Sequence, residues 1–144
     1  MSINKFNSEG YFDPTAYEAL TAIEKEAKAE KAFRPMVYIC SPYAGDIKRN
    51  TEAARRYSRF AVDSGCIPVT PHLLYPQFLN DADPAERQLG LFFGNALMSK
   101  CAEVWVFGST ISAGMEVEIK RAKRKDYRLR YFNEDCEETA SCEI

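Results

Sequence analysis

Short apolar runs alternate along the chain with longer stretches in which apolar residues recur at helical spacing. The runs are Met36–Cys40 (MVYIC), Cys66–Thr70 (CIPVT), Glu103–Phe107 (EVWVF) and Tyr127–Phe132 (YRLRYF). Runs of this length, bounded by turn residues and rich in Val, Ile and aromatics, predict buried strands. Pro68 places the second strand at a sheet edge or makes it begin there.

The stretches between the strands predict helices. Ile47–Ser64 carries Ile47, Ala54, Tyr57, Ala61 and Val62 on one stripe. Asp46 stands where an N-cap belongs, and Gly65 closes the segment. Ala85–Lys100 carries Leu89, Phe92, Phe93, Ala96 and Leu97 on one side, and a further helix opens at Ser112 or Gly114 and runs to about Lys125. Ahead of the first strand, Thr15–Lys31 is rich in Ala, Glu and Lys, with Asp13 as a cap and Pro14 at the first helical position. Pro71–Pro84, with three prolines, predicts an irregular loop of the length that often carries function.

The order is helix, then strand–helix three times, then strand. That alternation predicts an α/β fold: a Rossmann-like, flavodoxin-like three-layer sandwich, with a four- to five-stranded parallel sheet and an added N-terminal helix. The expected organisation is a helical extension over 1–35, the α/β domain over 36–132 and an acidic, mobile tail over 133–144. Right-handed crossovers bring the loops 41–46, 71–84 and 108–114 to one sheet edge.

Composition narrows the classes of function. The 144 residues suit one domain, and the net charge of −2 gives no electrostatic case for nucleic acid. No apolar run reaches membrane-span length and the N-terminus lacks an apolar signal region, so the expected location is cytoplasmic. The five cysteines include no CxxC pair, and His72 is the lone histidine, so no metal is expected. A Cys136–Cys142 disulfide is disfavoured by a cytosolic setting. The chain lacks GxGxxG and GxxxxGK[ST], so neither a dinucleotide fingerprint nor a P-loop is present, and no cofactor is expected.

The candidate chemistry lies in the three loops. Ser41, Tyr43, Gly45 and Asp46 precede a helix start, where backbone N–H groups can hold a phosphate or a ribose hydroxyl. Arg49, in the first turn of that helix, is the arginine nearest the loop. His72 stands between prolines two residues past a strand, and Tyr75, Gln77 and Phe78 offer an aromatic and amide wall for a planar base. Each has a plainer reading: a capped turn, a structural histidine, loop anchors. In SAGMEVEIKRA (112–122), Glu116 and Glu118 point different ways on one helix, and neighbouring apolar residues do not choose between them. The helix N-terminus favours an ionised carboxylate there, which makes a glutamate a candidate nucleophile.

The segments VYICSPYAGD (37–46), IPVTPHLLYPQFL (67–79), LGLFFGNAL (89–97) and CAEVWVFGSTISAGMEVEIKRA (101–122) together resemble the nucleoside 2-deoxyribosyltransferase superfamily, in particular a small bacterial and phage branch known as a domain of unknown function. The superfamily pattern G-x-x-x-E-x-x-x-A falls on Gly114, Glu118 and Ala122, which implies Glu118 as nucleophile. Glu116 fits only an alternative alignment. The family's proton-handling aspartate corresponds to Asn95, and a glycine that follows the glutamate by two is Lys120 here. The resemblance implies attack of Glu118 on C1′ of a deoxynucleoside or its 5′-monophosphate, with Ser41, Ser112 and Gly114 at phosphate or sugar hydroxyls. It also implies a homo-oligomer. The competing expectation is a nucleotide-binding module without turnover, such as a sensor or a sequestering protein.

Overall fold

The computed structural model describes residues 14–30 and 33–140. A helix α1 spans Pro14–Glu30. Its expected cap, Asp13, lies outside the described residues, as does Cys142 of the considered disulfide. Contacts divide the chain after Phe33 into two units, with α1 in the first and the α/β elements in the second.

From Arg34 onward the elements are β1 (Met36–Cys40), α2 (Ile47–Asp63), β2 (Ile67–Val69), α3 (Pro71–Leu74), a 3₁₀ turn (Tyr75–Gln77), α4 (Pro84–Met98), β3 (Glu103–Phe107), α5 (Ala113–Arg124), β4 (Arg128–Phe132) and β5 (Glu138–Thr139). The strands form one sheet in the order β2-β1-β3-β4-β5. The first four are parallel, with Tyr38 opposite Val104 and Val104 opposite Leu129; β5 is antiparallel. This is an α/β architecture compatible with a Rossmann-like fold. β2 pairs with β1 alone, so Pro68 sits on an edge strand, where a missing N–H costs no ladder bond.

Two cores face opposite sides of the sheet because side chains alternate along each strand. Val37, Ile39, Trp105, Phe107 and Phe132 pack against Tyr57 and Ala61 of α2. Tyr38, Cys40, Val104 and Val106 pack against Met98 of α4 and Met115, Ile119 and Ala122 of α5. Helices therefore cover both faces. The connection from β1 goes to one face and that from β3 to the other, so the chain direction switches between adjacent strands β1 and β3. Ligand crevices of open α/β sheets lie outside the carboxyl ends of strands at such a switch.

Two expectations need correction. The loop 71–84 is partly helical, because Pro71 at the first helical position fixes φ for a short turn. The segment from Asn133 is not a loose tail throughout. Asn133 Oδ1 accepts from the backbone N–H groups of Asp135 and Glu137, both at 2.9 Å, and this turn brings β5 back onto β4. Arg130 then donates to both carboxylate oxygens of Glu138, at 3.3 and 2.6 Å. Among the described residues no helix is long and apolar enough to cross a membrane.

Candidate functional site

The loop after β1 is built to hold a fixed shape. Gly45 takes φ +97°, a left-handed conformation that suits glycine. Asp46 caps α2 by accepting from the Arg49 backbone N–H at 3.2 Å. Asn50, one turn into α2, donates to the carbonyls of Tyr43 and Ala44, each at 3.1 Å. Ser41 opens this loop and is 7% exposed, the one buried polar side chain among the described residues.

The Ser41 hydroxyl lies 2.7 Å from His72 Nε2. His72 is held on α3, whose preceding residue Thr70 shares a hydroxyl–hydroxyl bond of 2.7 Å with Ser58 of α2. Tyr43 meets the imidazole edge-on, with centroids 6.4 Å apart. Burial pushes the His72 pKa down from 6.5 to about 4, because the charged ring would lose its hydration. The imidazole is therefore neutral at physiological pH.

Glu118 lies on the other side of the same strand end. It follows Met115 by three residues and precedes Ala122 by four, so it shares the helix face that packs on the sheet. The residue as a whole is partly exposed, yet Oε2 is sealed and has no hydrogen-bond partner. Burial pushes its pKa up from 4.5 to about 7, partly offset by the Tyr38 hydroxyl and the Cys40 thiol, which favour the charged form. The expectation of a carboxylate kept ionised by the helix N-terminus thus gives way. Glu116, not Glu118, occupies the first turn, and the dipole's effect fades beyond it. The neighbours respond in turn: burial, then the adjacent Glu118, hold the Tyr38 phenol well above its ordinary pKa. A buried carboxyl oxygen without a partner costs roughly 1–3 kcal/mol, so it asks for a reason. Arg121 Nε, one turn further along α5, is likewise buried without a partner.

α4 lies over this group. A Cβ added to Gly94 would stand 3.3 Å from the Tyr38 hydroxyl, so glycine lets the helix come close at that point. Asn95, the next residue, is half-buried. Ser112 caps α5 by accepting from the Met115 N–H at 3.3 Å, and an added Cβ at Gly114 would meet open space. Arg49 is exposed in the first turn of α2. Glu116 is solvent-facing and paired at 3.0 Å with Lys120, which accounts for that lysine on the outer face of α5.

The structure thus joins Ser41, Tyr43 and His72 in one cluster and sets Glu118 in another. Consecutive residues at the end of β1 link them, because the Cys40 thiol faces Glu118 and Ser41, the first residue of the following loop, faces His72. Sequence reasoning missed Tyr38, Cys40, Asn50 and Gly94. A phenol and a thiol inside an apolar strand were the trace left in the sequence. Two surface hollows lie elsewhere. One of about 630 Å³, lined by Phe60, Trp105, Arg130 and Phe132 among others, opens toward the strand amino ends; the other, about 330 Å³, lies beside Asp81, Arg87 and Leu91. Among the described residues no group of His, Cys, Asp and Glu suited to a metal ion is present.

The family model described as Domain of unknown function (DUF7768) matches residues 35–132, the sheet from β1 to β4 with its helices. The chain belongs to this family. The matched segment holds Tyr38, Ser41, His72, Asn95 and Glu118, and stops before the β5 hairpin. No curated protein matches the chain.

Proposed function

We propose that this member of the DUF7768 family cleaves or transfers the N-glycosidic bond of a deoxynucleoside, or of its 5′-monophosphate, through Glu118 as nucleophile. The proposal extends the resemblance to the nucleoside 2-deoxyribosyltransferase superfamily. One observation carries it: a carboxyl oxygen sealed from water and left unpartnered, beside the strand-order switch where α/β sheets take ligands. A dry, pre-placed carboxylate stabilises oxocarbenium character at C1′ far better than one in water. A substrate reaches Oε2 by displacing what seals it, and α4 is suited to move because only Gly94 and Met98 of it are buried. A homo-oligomer belongs to this reading. Leu89, Leu91 and Phe92 of α4 are exposed in a stretch from Gln88 to Met98 without a charge, and interface cores are poor in charge. The protein would act in the cytoplasm, without metal or cofactor.

A second reading has its own support. Asn95 stands where a proton donor is expected, and an amide cannot serve as a general acid. A nucleotide-binding module without turnover would need neither an acid nor an ionised Glu118.

Purified protein incubated with deoxynucleosides, their monophosphates and NAD-like nucleotides separates the two, with free base followed by chromatography. The expected outcome is base release that falls at least ~100-fold in Glu118→Gln. Binding of a nucleotide with no release from any substrate favours the module; release untouched by the substitution removes Glu118 as nucleophile.

A further inference from the structure

We infer that Ser41 and His72 form a proton relay for the second half of the reaction: Ser41 takes the proton of the attacking water or acceptor and passes its own to His72 Nε2. The inference rests on the reading of Glu118 as the group that carries the glycosyl ester. Placement carries it. The hydroxyl and the imidazole are 2.7 Å apart, the hydroxyl is buried, and Ser41 follows Cys40, whose thiol faces Glu118. Ser41 directly follows β1, and Glu118 lies on α5, which packs beside that strand, so both clusters stand at the carboxyl end of the parallel sheet.

The carboxylates and the amide around the site are committed or unable. Glu118 is esterified at this stage. Glu116 faces solvent against Lys120, Asp46 caps α2, and the Asn95 amide does not exchange a proton at neutral pH. His72 is neutral and so able to accept. The relay requires the tautomer with the proton on Nδ1, leaving the Nε2 lone pair for the Ser41 hydroxyl. The mounting is rigid: Pro71 starts α3, Thr70 is tied to Ser58, and Tyr43 abuts the ring.

The step balances. In the first half the C1′–N bond breaks, the base leaves with its electron pair, and a Glu118 oxygen bonds C1′. In the second half water oxygen bonds C1′ and Glu118 departs as a carboxylate. The water proton goes to Ser41, the Ser41 proton to His72, and the imidazolium then protonates the base anion. Because burial disfavours the charged ring, it gives that proton up readily. Water is the sole co-reactant; in transfer, the incoming base takes its place.

The test compares native protein, His72→Gln, Ser41→Ala and Glu118→Gln on a nucleoside that the native protein cleaves. Intact mass reports the glycosyl adduct, chromatography reports base, and each reaction runs with and without azide. His72→Gln is expected to release one equivalent of base, accumulate adduct, and turn over at least ~100-fold more slowly. Azide, a nucleophile with no proton to lose, should restore breakdown of the adduct. Ser41→Ala should show the same pattern, which guards against a folding defect particular to one variant. Native-like turnover in both variants overturns the relay, as does loss of adduct formation without azide rescue. If the native protein releases no base from any nucleoside, the function itself is wrong and the relay falls with it.

Discussion

Two half-buried ionisable groups stand at the carboxyl edge of one sheet, beside consecutive residues, the last of β1 and the first of the loop that follows it. Beside Cys40, Glu118 is sealed with an unpartnered oxygen. Beside Ser41, His72 is half-buried with its Nε2 bonded. Burial acts on both and in opposite directions, because it penalises whichever form is charged: the acid rises to about 7 and the base drops to about 4. The ordinary order of the two groups is inverted, so across the mildly acid range both are mostly neutral. Environments that push paired groups apart are how one site obtains an acid and a base. The difference between the clusters is in hydrogen bonding: His72 Nε2 is bonded to Ser41, whereas Glu118 Oε2 has no partner.

The largest expected effect comes from linkage. Glu118 is protonated more readily folded than unfolded. It therefore adds stability that is full below about pH 4.5 and is lost as pH rises to about 7. His72 does the reverse: its contribution is full above about pH 6.5 and is lost as pH falls to about 4. Between pH 4.5 and 6.5 the two slopes oppose and nearly cancel. Relative to native protein, Glu118→Gln should gain roughly 2 kcal/mol of stability on going from pH 4.5 to 6.5, and His72→Gln should lose about as much. Urea unfolding followed by the fluorescence of buried Trp105 measures this. Variant curves that stay parallel to the native one would show that the two groups do not titrate as a pair of opposites.

A smaller effect tests what Tyr38 contributes to the contrast. Its hydroxyl favours the charged form of Glu118, so Tyr38→Phe should push the carboxyl further up. The acid limb of the pH profile for base release then moves to higher pH, and stability changes by about 1 kcal/mol. An unmoved limb would mean that the phenol packs against α4 without touching the ionisation of Glu118.

The sheet and its helices were legible because apolar runs and helical stripes are local features, and each run from MVYIC to YRLRYF became a strand. The short helix at Pro71 was not, since four residues carry no periodicity. The β5 hairpin was hidden in an acidic stretch because its formation depends on Arg130 reaching Glu138 and on the turn at Asn133, partners that composition does not pair. Ser41, Tyr43 and His72 were picked out singly, and the contact between two of them appeared only when β1 and α3 met. Tyr38 and Cys40 read as core, which they are. Their second role needs a neighbour from α5, far along the chain, and the ionisation of Glu118 depends on burial that no helix position announces.

The smallest effect separates the two glutamates of α5. Glu116 and Glu118 are two residues apart, and helix geometry turns them to different sides. Met115, Ile119 and Ala122 are buried against the sheet, which brings Glu118 inward and leaves Glu116 with Lys120 at the surface. An exposed pair spaced by four contributes only ~0.3–0.5 kcal/mol. Glu116→Gln should therefore shift the unfolding midpoint barely, leave the pH dependence of stability parallel to native, and release base at the native rate. Activity lost in Glu116→Gln with Glu118→Gln still active would reverse the register of the α5 site, and with it the contrast between a sealed carboxyl and a solvated one.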